Sequence, residues 1–300
     1  MIRAIFFDID GTLLDSATGK VPPSTLACLR ALQRKGVRRW VATGRFPAMT
    51  TFLRDIFPFD GVITLNGQLA TDKDGQVLHR MAHEPENIRA LVELVRQDPE
   101  PFPCLIIEEE QCFSLRESPV IQEHFAWAGL PAPEAYHLSR LEEHPVLQFL
   151  AYITPQEYGR LAPLRHIEIT GSGHSIADII PLGGGKEVGI AAVVQRYGWK
   201  REEIMVFGDG PNDTKMLAWA GAGVAMGNIV KVAEDGAMVL KDGLPQLQPY
   251  GQINLVKEIT AQMPEASKLA DFDTWKQNRT YVRKGADHIK ILDPGEEFRR

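Results

Sequence analysis

Cysteine is scarce in this chain: Cys28, Cys104 and Cys112 are the three in 300 residues, and no C-x-x-C occurs. An odd set cannot pair off fully, and the zinc and redox spacings are missing. The thiols are expected to be buried or idle in a reducing compartment. Long apolar runs are missing as well, and nothing approaches the ~20 residues of a membrane helix. The opening, MIRAIFFDIDGT, turns acidic after a short apolar stretch and shows no leader cleavage region. These absences predict a cytoplasmic protein with no membrane partner. Positive charge is not in excess either, since 33 Lys and Arg against 39 Asp and Glu leave a net charge of −6. An electrostatic grip on nucleic acid is therefore not expected.

What remains is an ordinary globular composition, 44% hydrophobic and 24% charged, long enough for one large domain or two moderate ones. Residues 2–8, 37–42 and 61–65 read as buried strands. Leu26, Leu29 and Leu32 lie at helical spacing after Pro22-Pro23, and 47–57 is predicted as a second helix. Strand–helix–strand–helix–strand is the order of a parallel sheet with crossover helices. The rhythm returns late, with a helix over 186–197, a strand at 204–207, a helix over 212–219 and a strand at 222–225. Ala237–Leu240 offers an edge strand. Between these halves, 84–183 has a different texture. A hairpin turn at Asp72-Lys73-Asp74-Gly75 precedes it, and its pattern predicts helices over 85–97, 119–128 and 155–162. Strands are expected at 104–107, 111–115, 146–153, 165–170 and 174–180. This stretch is expected to be an inserted α+β domain.

The residues that suggest chemistry collect at strand ends. Asp8 and Asp10, before Gly11-Thr12, end the first strand. Period-two geometry sends both carboxylates to one side if the strand runs that far. Asp209 and Asp213 leave the strand at 204–207, on the same sheet edge if the strands are parallel, where such folds bind ligands. Carboxylates at ~4 Å repel by about 4 kcal/mol at an effective dielectric near 20. Gathering them demands a cation or a proton, and Mg2+ suits an all-oxygen set that also meets phosphate. Two further elements suit an anion: Thr43-Gly44-Arg45 after the second strand, and Lys186 after Gly183-Gly184-Gly185 at a helix start. The Walker, dinucleotide and serine-elbow patterns all fail on inspection.

In this order DIDGT (8–12), TGR (43–45), GGGK (183–186) and GDGPND (208–213), with Asn66-Gly67 and IADIIP before GGGK, resemble the haloacid dehalogenase-like hydrolases of the Cof-type phosphatase branch. The resemblance covers about residues 1–250. It implies an α/β fold: a Rossmann-like, doubly wound parallel-sheet core at 1–83 and 184–255, and a cap at 84–183 that sets substrate specificity. The segment 256–300 is left without a role. The resemblance further implies that Asp8 is the nucleophile and Asp10 the general acid and base. Mg2+ would be held by Asp8, the Asp10 carbonyl, Asp209 and Asp213. Thr43, Gly44, Lys186 and Asn212 would hold phosphate. The expected activity is Mg2+-dependent hydrolysis of a small phosphomonoester, a sugar phosphate or phosphorylated cofactor, through an aspartyl-phosphate. A phosphomutase, or an idle phosphometabolite-binding protein, is the alternative; a dehalogenase has no need of Asp10 or Asp209. Arg45, Asn66, Glu168, His174 and Asp178 are candidate substrate contacts, although solvent-facing cap polarity is the simpler expectation for Glu168, His174 and Asp178. Oligomeric state stays open.

Overall fold

Short runs of buried apolar residues form the strands, and prolines at the first turn open several of the helices. The computed structural model describes residues 1–15, 18–170 and 175–226, with isolated two-residue strands at Leu240–Lys241, Leu244–Pro245, Tyr281–Val282 and Ile291–Leu292. In chain order come β1 (Ala4–Phe7), α1 (Pro23–Arg34), β2 (Arg38–Ala42), a one-turn α2 (Leu53–Ile56) and β3 (Gly61–Thr64). Next are β4 (Leu69–Asp72), β5 (Val77–Arg80), α3 (Pro85–Gln97), β6 (Cys104–Ile107), β7 (Cys112–Ser114) and α4 (Pro119–Trp127). β8 (Glu134–Ala135), β9 (Gln148–Ala151), β10 (Ile167–Thr170) and β11 (Ala177–Pro181) follow. The series ends with α5 (Lys186–Tyr197), β12 (Ile204–Gly208), α6 (Thr214–Trp219) and β13 (Ala222–Ala225).

Contacts divide the chain into two units, Met1–Ala42 with Val194–Arg300, and Thr43–Val193. In the first, β13, β12, β1 and β2 lie side by side and every pairing is parallel. Ala4–Phe7 stands opposite Ile204–Phe207 residue for residue, and the Phe7 and Phe207 rings stack at 5.2 Å. Both strands therefore release their acids at one edge. All of β1 is buried, as a parallel strand covered on both faces requires.

In the second unit β3, β4 and β5 form an antiparallel meander, turned at Asp72–Gln76 as the sequence predicts. A separate six-stranded sheet runs β10-β11-β9-β6-β7-β8, antiparallel except for the β7–β8 pair. Its alternating side chains build two cores. Cys104, Ile106 and Phe149 pack with Ile88, Leu91 and Val95 of α3. Leu105, Ile107 and Leu150 pack with Ile121 and Phe125 of α4 and with Phe46, Leu65 and Leu69.

Several expected elements are shorter than their patterns. The 47–57 helix splits into a 3-10 turn, Pro47–Thr50, and α2, because the Thr50 and Thr51 hydroxyls bond back to the Pro47 and Ala48 carbonyls. The helix over 212–219 opens as a 3-10 turn, Pro211–Asp213, and the one near 155–162 is 3-10 throughout, Pro155–Leu161. Strand pairing covers only Gln148–Ala151 of the run 146–153. Ala237–Val239, His174 and nearly all of 256–300 lie outside the described residues. Among the described residues no helix is long and apolar enough to cross a membrane. Cys104 is buried, Cys112 half-buried and Cys28 exposed; burial pushes the first two thiols far up from their ordinary value.

Trp40 in β2 is fully buried. Its ring lies 5.9 Å from that of Phe6 and 5.9 Å, edge-on, from that of Tyr197. Trp40→Ala should cost about 3–5 kcal/mol in chemical denaturation. Trp40→Phe should cost clearly less, since the buried indole N–H has no hydrogen-bond partner among the described residues.

Candidate active site

The acids of the first unit meet around a shared gap. β1 stops at Phe7, and the Asp8 amide still donates to the Phe207 carbonyl at 3.0 Å. The chain then coils: the Leu13 amide donates to Asp8 O and the Leu14 amide to Ile9 O. The strand therefore does not reach Asp10, and the strict period-two placement of both carboxylates does not apply. Asp8 is buried and Asp10 exposed. Across from them, β12 ends at Gly208 and releases Asp209. Asp213 reaches back, its Oδ2 accepting from the Asp209 and Gly210 amides at 2.9 Å each. Thr12 donates its hydroxyl to Asp209 Oδ1 at 2.8 Å; this contact escaped the sequence reading, although Thr12 stands in DIDGT.

Asp8, Asp209 and Asp213 each offer a carboxylate oxygen, and these oxygens lie within 4.8 Å of one another. Asn212 is partly buried in the intervening turn. Two of the three acids are buried, so their repulsion is poorly screened and asks for a cation. An all-oxygen donor set of this span suits a hard divalent ion.

The second unit holds both expected anion-binding elements. Thr43 is buried; its amide donates to Ile63 O at 2.9 Å and its carbonyl accepts from the Asn66 amide at 3.0 Å. Its hydroxyl accepts from the Arg45 amide at 3.2 Å. Arg45 is partly exposed, donating to the Met49 carbonyl and lying over the Phe52 ring at 5.4 Å. Lys186, the first residue of α5, is only 1% exposed, and a buried ammonium needs anionic company.

One turn touches both elements. Leu65 and Asn66 are left-handed, with φ of 55° and 52°, and Gly67 follows at 101°. A Cβ on Gly67 would lie 1.9 Å from Gly185 O, and one on Gly44 would lie 3.0 Å from Asn66 Oδ1. At Gly67 only glycine permits the approach, while a Cβ at Gly44 would press on the Asn66 amide.

Asn66 and Asp178 are not at a surface. Asp178 lies in β11, buried along its whole length, so the solvent-facing expectation for it fails. Asn66 Nδ2 donates to Asp178 Oδ2 at 3.0 Å and to Gln148 Oε1 at 3.2 Å, while Gln148 Nε2 donates to Asp178 Oδ1 at 3.0 Å. Gln148 was missed: a lone amide in an apolar run gives no signal. Glu168 is partly exposed in β10, opposite Ile180. Near Arg45 the structure adds two residues that the sequence did not flag. His124 on α4 bonds the Tyr152 hydroxyl at 2.6 Å, and Phe125 stacks on Phe46 at 5.8 Å. Burial, with the Arg45 charge, holds the His124 imidazole below its ordinary value.

The fold is α/β, a Rossmann-like sheet with acids at its carboxyl edge and an α+β cap. Residues 5–239 match the haloacid dehalogenase-like hydrolase family, and the chain belongs to that family, in its Cof-type phosphatase branch. It is 28% identical over 228 residues to YkrA of Bacillus subtilis (strain 168), covering 76% of this chain and 87% of that one. It is 28% identical over 241 residues to the HMP-PP phosphatase of Shigella flexneri serotype 5b (strain 8401), covering 76% and 85%. Among solved structures, the HAD subclass IIB sugar phosphatase BT4131 superposes with a TM-score of 0.69 at 31% identity, covering 78% and 89%.

Two buried groups give stability opposing dependences on pH. His83, stacked on Phe149, is held neutral by burial, down from 6.5 to about 4. Its contribution is present above pH 6.5 and is lost as pH falls toward 4. Burial raises Asp178 from 3.8 to about 7, against the Asn66 hydrogen bond and the Lys186 charge, so its contribution is lost as pH rises between those values. Asp178→Asn removes the opposing slope and leaves that of His83 in place. Thermal melts from pH 4 to 6.5 should then show the melting temperature climbing more steeply with pH than in wild type.

Proposed function

We propose that this phosphatase hydrolyses a small soluble phosphomonoester, in a Mg2+-dependent reaction through an aspartyl-phosphate on Asp8. The observation that carries the reading is the carboxylate set of Asp8, Asp209 and Asp213, with oxygens within 4.8 Å. In this reading 1–83 and 184–255 form the catalytic core and 84–183 the cap that meets the leaving group. A sugar phosphate or phosphorylated cofactor is the substrate class, in keeping with relatives named for a sugar phosphatase and an HMP-PP phosphatase.

Asp8 attacks phosphorus, and the bond from phosphorus to the ester oxygen breaks. Asp10, solvent-facing while Asp8 is buried, gives its proton to the departing oxygen. It then takes a proton from the water that releases phosphate and regenerates Asp8. Thr43, Gly44 and Lys186 hold the phosphoryl oxygens, with Asn212 assisting. Mg2+, held by Asp8, the Asp10 carbonyl, Asp209 and Asp213, supplies charge neutralisation when bound. The division suits phosphoryl transfer, where positioning and electrostatics do most of the work.

Release of phosphate from an aryl phosphate tests this. EDTA should abolish turnover and added Mg2+ restore it. Asp8→Asn should lose about 10³-fold or more, and Asp10→Asn roughly 10²- to 10⁴-fold. Unchanged turnover in EDTA or in Asp8→Asn would reject the mechanism.

A further inference from the structure

The buried triangle of Asn66, Gln148 and Asp178 has no part in the chemistry proposed above, yet it is costly to build. A carboxylate is buried in β11 with side-chain amides on both oxygens, where an apolar residue would pack at no such expense. Each edge of the triangle needs one donor and one acceptor. Asn66 turns the same atom, Nδ2, to both neighbours. Ionised, as it is above about pH 7, Asp178 offers acceptors at both of its corners. Gln148 must therefore give Nε2 to Asp178 and Oε1 to Asn66, which is the arrangement present. The carboxylate fixes all the amide orientations.

Asn66, once fixed, lies against Gly44, whose added Cβ would stand 3.0 Å and 3.1 Å from its amide oxygen and nitrogen. Its backbone amide holds the Thr43 carbonyl. On its other side Gly67 abuts Gly185 and the Lys186 amide. We propose that Asp178 and Gln148 are positioning residues: by locking Asn66 they set the Thr43–Gly44 turn, and through Gly67 the start of α5, in the geometry that grips a phosphoryl group. This rests on the phosphate-binding roles proposed for Thr43, Gly44 and Lys186.

The donor–acceptor count gives a sharp test. With Asp178→Asn no combination of amide flips satisfies all three edges; one always brings like atoms together. Gln148→Glu alone sets two carboxylates face to face. In Gln148→Glu/Asp178→Asn the triangle closes again, because the amide at 178 accepts from Asn66 and donates to the carboxylate at 148. Affinity for inorganic phosphate is measured by calorimetry on the full chain with Mg2+ at about pH 8, where Asp178 is ionised, beside aryl-phosphate kinetics for the same variants. Each single substitution should weaken phosphate binding roughly tenfold, the scale of one buried unsatisfied polar group. KM should rise in parallel and kcat change less. The double variant should return to within about threefold of wild type, a recovery that loss of packing alone would not give.

Single variants that bind phosphate like wild type, or a double variant no better than its parents, would overturn the proposal. If a single variant does not fold, recovery or failure of the double variant decides. A wild type that binds phosphate without hydrolysing the ester would sink the phosphatase mechanism alone, and the binding series would still judge the triangle. Absence of phosphate binding in the wild type would overturn both.

Discussion

The turn at 65–67 and the start of α5 meet in one close backbone approach, Gly67 against Gly185, with no room for a single methyl between them. That approach exists because Leu65, Asn66 and Gly67 turn left-handed in succession, a conformation costing roughly 1–3 kcal/mol at each non-glycine residue. The surroundings compensate. Leu65 is buried among Leu105, Ile107, Leu147 and Phe125, its amide is held by the Arg45 carbonyl, and the Asn66 side chain is tied to two others. The strain is therefore maintained by packing on one residue and by hydrogen bonds on the next. Relaxing either would move the Thr43 turn and the start of α5 together.

The first unit meets a different constraint, repulsion among carboxylates. Backbone geometry brings them together: β1 and β12 are parallel and in register through Phe7 and Phe207, so their acids leave at one edge. Hydrogen bonds then aim them. Two amides hold one oxygen of Asp213, and the Thr12 hydroxyl holds one of Asp209. The strand register makes the cluster, and these short-range donors orient its carboxylates.

Legibility in the sequence followed the range of the interaction. Strand ends rich in Asp, Gly and Thr were readable because local pattern alone places them, and α5 was predicted at 186–197 as it stands. The buried fate of Asp178 was not readable, since it depends on partners 112 and 30 residues away, Asn66 and Gln148. Left-handed Leu65 could not be anticipated either, because a leucine there is held by tertiary packing against its own preference. The helix over 47–57 failed for a local reason that is visible afterwards: threonine hydroxyls competing for carbonyls at Pro47 and Ala48.

These constraints also separate rigid turns from variable surface. The turns that carry Thr43, Asn66 and Lys186 are buried and tied to one another, so they tolerate little variation. The residues beside Arg45 are differently placed. Trp127 at the end of α4 is 72% exposed, and His124, one turn earlier, pairs with Tyr152 across the cap sheet. These side chains are aromatic and amphipathic, and more exposed than the turns. Because α4 is anchored by Ile121 and Phe125 on its inner face alone, its outer residues can change without disturbing the core beneath. Rigid buried turns beside a more exposed aromatic face allow the face to vary while the turns stay fixed.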